Sequence, residues 1–530
     1  MSKKKSTLLV LLLIPLLFFG QKKDFIEGIL LDLKTKEPVV FATIKLRDNA
    51  KGVISNLNGG FKIPKEYQTQ GNYLEISSMG YETKVIETAL LKVDSTNIIN
   101  MRPATFQLNE VVLKSGSLKR LTAKQIIRKA LDRIPENYPI DSFSLIGYYR
   151  DYQIQKNKYL NFNEAIVQIY DKGFQSDHFK ETEYSLLSYV KNDDFKIDSF
   201  AAKPYDYMTK DKFVPNVLLL SRYRGNELVN LCIHNAIRNY DKQGYSFIGV
   251  FNKDFIGAHR FSSVENTYYD GEPVYKIGIK KKLNPFTVKG DIYIDKDDYA
   301  IRKLVYSLYG KRPKNSLYPV DLVGTKDNNE LLYEVLVEYS KVNGRMYLNY
   351  ISLHNKFVLR RHPVFKIENL LLNIEEGIIE VELNSEGANY EELELADFEL
   401  KFNGQDLQIE KLVDAFDNKI ILKLSSGKAQ ISLRKNLFST VSDPKQLRFL
   451  LRIQNLRDEY GNTLEEPNYE NLHQFREFFT QTTITQPNIN SIEKDLMQKR
   501  KPLNHVDQPI SKLSNMNEYW MNTPLQIIRE

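Results

Sequence analysis

The chain of 530 residues has little of what usually marks chemistry. Its one cysteine, Cys232, leaves no intrachain disulfide to form and excludes cysteine-built metal sites. In its apolar setting between Asn226 and Tyr240, Cys232 reads as a small buried hydrophobe on a helix. Among the seven histidines no pair has the His-Glu-x-x-His spacing that puts two metal ligands on one helix face. His473 and Glu477 read as a helix or turn surface pair, and His354, Arg360, Arg361 and His362 as charges along a solvated strand edge. Asp295, Asp297 and Asp298 lack the glycine a calcium loop requires at its sixth position, and a hairpin turn accounts for them. There is no Gly-x-Ser-x-Gly elbow, phosphate loop or dinucleotide fingerprint. No catalytic, cofactor-binding or metal residue is therefore assigned, and a protein that is not an enzyme and carries no cofactor is expected.

Long hydrophobic runs are also missing. The stretch from Leu8 to Phe19 is broken by Pro15 and falls short of the roughly 20 residues a spanning helix needs. With Lys3, Lys4 and Lys5 before it and Gly20 after it, residues 1–20 read as a signal peptide. No cysteine stands at its end to carry a lipid, so the expectation is an exported protein of the periplasm or outer-membrane periphery that is not a lipoprotein. Losing those three lysines lowers the formal charge from +7 to +4, spread among interleaved Lys and Glu. That gives no footprint for nucleic acid, which is excluded as a partner.

What is present points to β structure. A single Trp stands against 32 Tyr and 28 Phe, residues whose rings pack well on pleated surfaces. Hydrophobic residues at 42% and charged residues at 27% are ordinary for a folded chain, and the length calls for several cores. Residues 24–103 alternate short apolar runs with turn signals at the spacing of a small sandwich, expected to span 21–113, with Asn56, Asn58, Gly59 and Gly60 supplying a tight reversal.

Gly28 and Asp32 before the Pro38 turn, Ala42, the run Asn58-Gly59-Gly60-Phe61, and Gly80-Tyr81 together resemble the carboxypeptidase regulatory-like, transthyretin-like domain. That resemblance implies an accessory β-sandwich with no peptidase centre. Leu108 to Gly116 resembles the segment closing this domain in TonB-dependent outer-membrane receptors. The residues that follow are too few for a plug and a large barrel, and Arg529-Glu530 is unlike a closing membrane strand.

Residues 114–140 read as a linker helix, where Thr122 and Gln125 form a capping box, Ile126, Ile127, Ala130, Leu131 and Ile134 share one face, and Pro135 ends the helix. Residues 141–385 read as a large antiparallel β domain with one wet face and a few helices, its hairpins turning at Asp270-Gly271, Asp295 to Asp298 and Asn343-Gly344. The strands around Gly290 to Leu304 resemble periplasmic lipoprotein-carrier half-barrels. Residues 386–480 are expected to form an Ig-like sandwich, because Asp458, Gly461 and Asn462 resemble the closing turn of bacterial Ig-like domains. Residues 481–530 read as an extended tail that docks back or recruits something, with Trp520 in its densest apolar cluster.

The fold class is thus mainly β, and the leading functional expectation is a non-catalytic envelope binding or assembly protein whose partner is another envelope protein or outer-membrane component. Two alternatives stand beside it: a periplasmic carrier or chaperone holding a lipid or apolar segment on a curved sheet, and a peptide or glycan hydrolase.

Overall fold

A computed structural model describes residues 25–47, 51–104, 121–156, 158–192, 195–203, 212–213, 226–244, 248–269, 271–284, 286–311, 329–373, 375–402, 404–427, 431–432, 449–487, 495–511 and 519–521. The expected signal peptide, the Leu108 to Gly116 segment and Asp270 lie outside them. No helix among the described residues is long and apolar enough to cross a membrane.

The N-terminal module packs two sheets. One holds β1 (Phe25–Asp32), β4 (Gly60–Pro64) and β7 (Asn97–Met101), and the other β2 (Thr43–Leu46), β3 (Gly52–Ile54), β5 (Tyr73–Ser77) and β6 (Lys84–Glu87). Along β1 every second residue is buried, which puts Ile26 and Leu30 into a core with Ile44, Phe61 and Ile76. The residues that carried the family resemblance all do structural work here. A Cβ on Gly28 would fall 2.3 Å from the Phe61 ring, so only glycine lets that ring cross β1. Asp32 accepts bonds from the backbone of Lys34 and Thr35 and, at 3.0 Å, from the Tyr81 hydroxyl. Asn56 accepts from the amides of Asn58 and Gly60, and Gly59 takes φ +75° in the turn between them.

Helix α1 (Ala123–Asp132) starts at the Thr122–Gln125 capping box and buries Ile126, Ile127, Ala130 and Leu131. Pro135 does not simply stop it. A second short helix, α2 (Ile134–Asn137), follows with Pro135 in its first turn, where a missing N–H costs nothing.

The central strands then run β8 (Phe143–Gln155), β9 (Lys158–Asp171), β10 (Glu183–Lys191) and the short β11 (Lys212–Phe213). They are followed by β12 (Arg260–Tyr269), β13 (Glu272–Leu283), β14 (Phe286–Asp295), β15 (Ile301–Lys311), β16 (Asn329–Val342) and β17 (Arg345–Arg360). Among the described residues three short helices interrupt them: α3 (His178–Glu181), α4 (Glu227–Ile233) and α5 (Phe251–Ala258). The region around Cys232 is helical only through Ile233 and continues as turns, and Cys232 is buried as expected. Asp295 receives two bonds from Arg302 Nε, and Asp298 accepts from the Ala300 amide, so both serve the hairpin.

Residues 358–470 form a separate compact unit. It pairs one sheet of β18 (Ile367–Asn373), β19 (Ile378–Leu383), β22 (Ile409–Phe416) and β23 (Lys419–Leu424) with another of β20 (Phe398–Phe402), β21 (Gln405–Asp406) and β24 (Phe449–Ile453). Ile379, Val381, Leu400, Leu422 and Leu451 share its core. Asp458 accepts from the amides of Tyr460 and Asn462, bonding its own turn. This sandwich differs from the one expected at 386–480. It begins earlier, because β18 and β19 supply half of its four-stranded sheet, and it ends earlier.

The strand that follows, β25 (Tyr469–Ile484), belongs to the central sheet instead, inserted between β8 and β17. The strand order is β10-β9-β8-β25-β17-β16-β15-β14-β13-β12, with β11 also on β17. Helices α1, α4 and α5 fill one face with Ile127, Leu228, Leu231, Phe251 and Phe255. The N-terminal module covers the other, where Phe41 and Ile54 pack on Leu336, Tyr350 and Phe479, and Leu57 on Tyr152 and Phe475. The wet face read from the alternation is therefore confined to outer strands such as β12. The first twelve residues of β8 are buried throughout, on both faces.

The tail docks back. Its backbone meets the edge strand β10 through Met497 N to Tyr184 O and Ser511 N to Leu186 O, both 2.8 Å. Trp520 enters the core of the N-terminal module with its ring 4.7 Å from that of Tyr67.

Candidate functional site

Strands β9, β8 and β25 lie side by side, and their antiparallel register sets residues in rows across the sheet. On the helix-covered face two consecutive rows are polar: Asn163, Asp151 and Arg476 in one, Asn161, Gln153 and Gln474 in the next. The preceding row, Ala165, Tyr149 and Phe478, is the end of the apolar core. Glu227, the first residue of α4, comes down on these rows because the Asn226 side chain caps the helix by accepting from the Val229 amide. Lys212 reaches them from β11.

Glu227 and Arg476 form an ion pair in which Arg476 is fully buried, and the guanidinium also donates to Asn355 Oδ1 at 2.6 Å. Asp151 accepts from Gln153 Nε2 at 3.2 Å. Burial, followed by the Glu227 charge, pushes the Asp151 carboxyl up to about 6, with Arg476 and Lys212 opposing the shift. Lys212 donates to the carbonyls of Ala201 and Lys203, and its burial brings the ammonium down to about 8 against the pull of Glu227 and Asp151. Asp151, Gln153, Asn161, Glu227 and Gln474 all line one chamber with an enclosed volume of about 30 Å³, rimmed by Lys203 and by Pro502, Leu503 and Asn504 of the tail. Such a space holds about two waters.

The reverse face carries a second charged row, Glu164, Arg150 and Glu477, beneath the N-terminal module. Arg150 Nε donates to Glu477 at 2.5 Å, and the Tyr152 and Tyr148 hydroxyls donate to Glu477 and Glu164, each at 2.6 Å. His473 and Glu477 are therefore not a helix or turn pair. They lie on a strand, with His473 Nδ1 2.9 Å from His354 Nε2 and the His354 ring stacked on Phe475. A third buried pair, Arg238 and Asp171, is bidentate at 2.8 Å and lies beside an apolar cavity of about 20 Å³.

None of the chamber residues was singled out from sequence. The signal was a period-2 run of polar residues in strands otherwise too apolar to face water: Tyr149, Asp151, Gln153; Asn161, Asn163; Gln474, Arg476. Among the described residues no group of three or more His, Cys, Asp or Glu is placed to hold a metal.

Comparison with known proteins adds the following. No curated protein matches the chain. A LolA superfamily protein from Nitrosomonas europaea is similar at 12% identity and a TM-score of 0.18, over 44% of this chain and 86% of that one. A DUF1329 family protein from Desulfovibrio piger is similar at 12% identity and a TM-score of 0.20, over 43% and 85%. Residues 26–113 match the CarboxypepD_reg-like domain family, so the two-sheet N-terminal module is a CarboxypepD_reg-like domain.

Proposed function

We propose that this protein is a non-catalytic binding or assembly component of a bacterial cell envelope, with another envelope protein as its partner. The observation that carries this reading is the unequal treatment of the two ends of the central sheet. The chain covers β10 with its own tail, through the bonds to Tyr184 and Leu186. At the other end β12 has, among the described residues, a strand neighbour on one side only. A ten-residue edge strand offers a row of backbone donors and acceptors to a partner strand. The carrier reading takes second place, because the enclosed spaces beneath the helices, about 30 and 20 Å³, are water-sized, and the cavity of about 330 Å³ beneath the N-terminal module is lined mostly by polar side chains such as Lys45, Glu75, Arg302 and Asn349, which suit no apolar cargo.

The test is affinity purification of the tagged full-length chain after cross-linking in intact cells, with proteins and lipids identified by mass spectrometry. A stoichiometric envelope protein cross-linked through β12 is the expected result. A defined lipid recovered without a fixed protein partner would overturn it in favour of the carrier.

A further inference from the structure

The chamber at the polar rows contains more hydrogen-bonding capacity than the protein uses. Glu227 Oε1, Gln153 Oε1, Asn161 Oδ1 and both amide atoms of Gln474 are buried with no partner among the described residues, and the four side chains are at least nine-tenths buried. Each such group left unsatisfied costs about 1–3 kcal/mol, and native interiors leave few of them. Four side chains failing together in one space mark a place shaped for something that fills it.

The charge of the lining selects among fillers. Inside, Asp151 and Glu227 face Lys212 and Arg476, with Lys203 at the exposed rim, so neither sign dominates the enclosed space. A cation entering would meet the lysine and arginine, and an anion the two carboxylates. Carboxamides dominate the remainder, with Tyr149 and Tyr189 beside them. Amides offer donors and acceptors together, which suits a neutral group that does both. A hydroxyl is such a group. The enclosed 30 Å³ accepts one or two hydroxyls.

We propose that this chamber is a carbohydrate subsite, in which hydroxyls of a neutral sugar replace water against Gln153, Asn161, Glu227 and Gln474. The sugar donates to the Glu227 and Gln153 oxygens and accepts from the Gln474 amide. The rest of the ring lies toward Lys203 and Asn504. A compound lacking hydroxyls is rejected, because it would strand the same buried groups.

Isothermal titration of the full chain with N-acetyl-D-glucosamine, D-glucose and glycerol, and with ammonium chloride and potassium phosphate as charged comparators, tests this. Saturable binding of a sugar, with neither salt binding, is expected. Gln474→Met and Asn161→Leu should each weaken it by about tenfold, the worth of one hydrogen bond. Gln474→Met removes only unpartnered atoms, so its urea midpoint should equal or exceed the parent's, which separates loss of binding from loss of fold. Absence of saturable binding by both sugars overturns the proposal, whether or not glycerol binds, as does a Gln474→Met variant that binds as well as the parent, or tighter binding of either salt. This result is independent of the cross-linking experiment, which reads β12 and not the chamber.

Discussion

Lowering the pH from 7 to 5 is expected to remove about 4 kcal/mol of stability from the unit that holds the central sheet. His178, His234 and His259 are buried within it, and desolvation holds their imidazoles down at about 3, 4 and 4. For His178 the neighbouring Arg238 guanidinium adds to the shift, against Asp171. In the unfolded chain an imidazole titrates near 6.5, so that state takes up protons which the folded state refuses. With the folded values below the unfolded one, the stabilisation is complete above about pH 6.5 and is lost as pH falls toward the folded values. By pH 5 each histidine has lost slightly under about 2 kcal/mol, or about 5 for the three. Asp151 works the other way. Raised to about 6, it takes its proton in the folded state first and offsets about 1 kcal/mol over the same interval. His354, partly exposed and also lowered to about 3, adds to the loss.

Against a typical total of about 5–15 kcal/mol, this loss brings the unit close to unfolding. Urea titrations followed by far-UV circular dichroism at pH 7, 6 and 5 measure it directly. His259→Gln should reduce the pH slope by between about a third and a half, since slope counts the net protons taken up on unfolding and Asp151 subtracts from the histidines. Equal or greater stability at pH 5 would refute the reasoning.

Three other perturbations follow from the packing. Trp520, the only tryptophan, is 3% exposed in the core of the N-terminal module. Its emission should be blue-shifted and shielded from iodide in the folded chain, and Trp520→Ala should cost about 3–5 kcal/mol by urea unfolding. Arg238→Ala leaves Asp171 charged and buried, a loss of about 3–5 kcal/mol. The double variant Asp171→Asn with Arg238→Met should recover most of it, and additive losses would show that the ion pair is not the cause. Gly59→Ala places a Cβ 2.4 Å from the Leu30 carbonyl oxygen at a positive φ, and a melting experiment should show a loss of at least about 2 kcal/mol.

The sequence by itself determined the elements whose reasons are local. Gly28, Asp32, Asn56 and Gly59 announce the N-terminal sandwich because each meets a requirement of backbone or turn within a short reach of chain. The Thr122–Gln125 capping box and the Asn343-Gly344 hairpin are legible for the same reason, and so are the β class and the buried role of Cys232.

Only the tertiary structure decided the rest. β25 joins β8 across more than 300 residues, so no local pattern distinguishes it from a strand of the preceding sandwich. The hairpins of residues 141–385 read as a sheet with one wet face, yet the N-terminal module covers that face along β8 and turns Arg150 and Glu477 into a buried pair. The chamber was hidden for the same reason. Asp151, Lys212, Glu227 and Gln474 come from four elements that adjoin only once the sheet is assembled, and a polar residue at every second position looks the same in sequence whether it faces water or a closed space inside the protein.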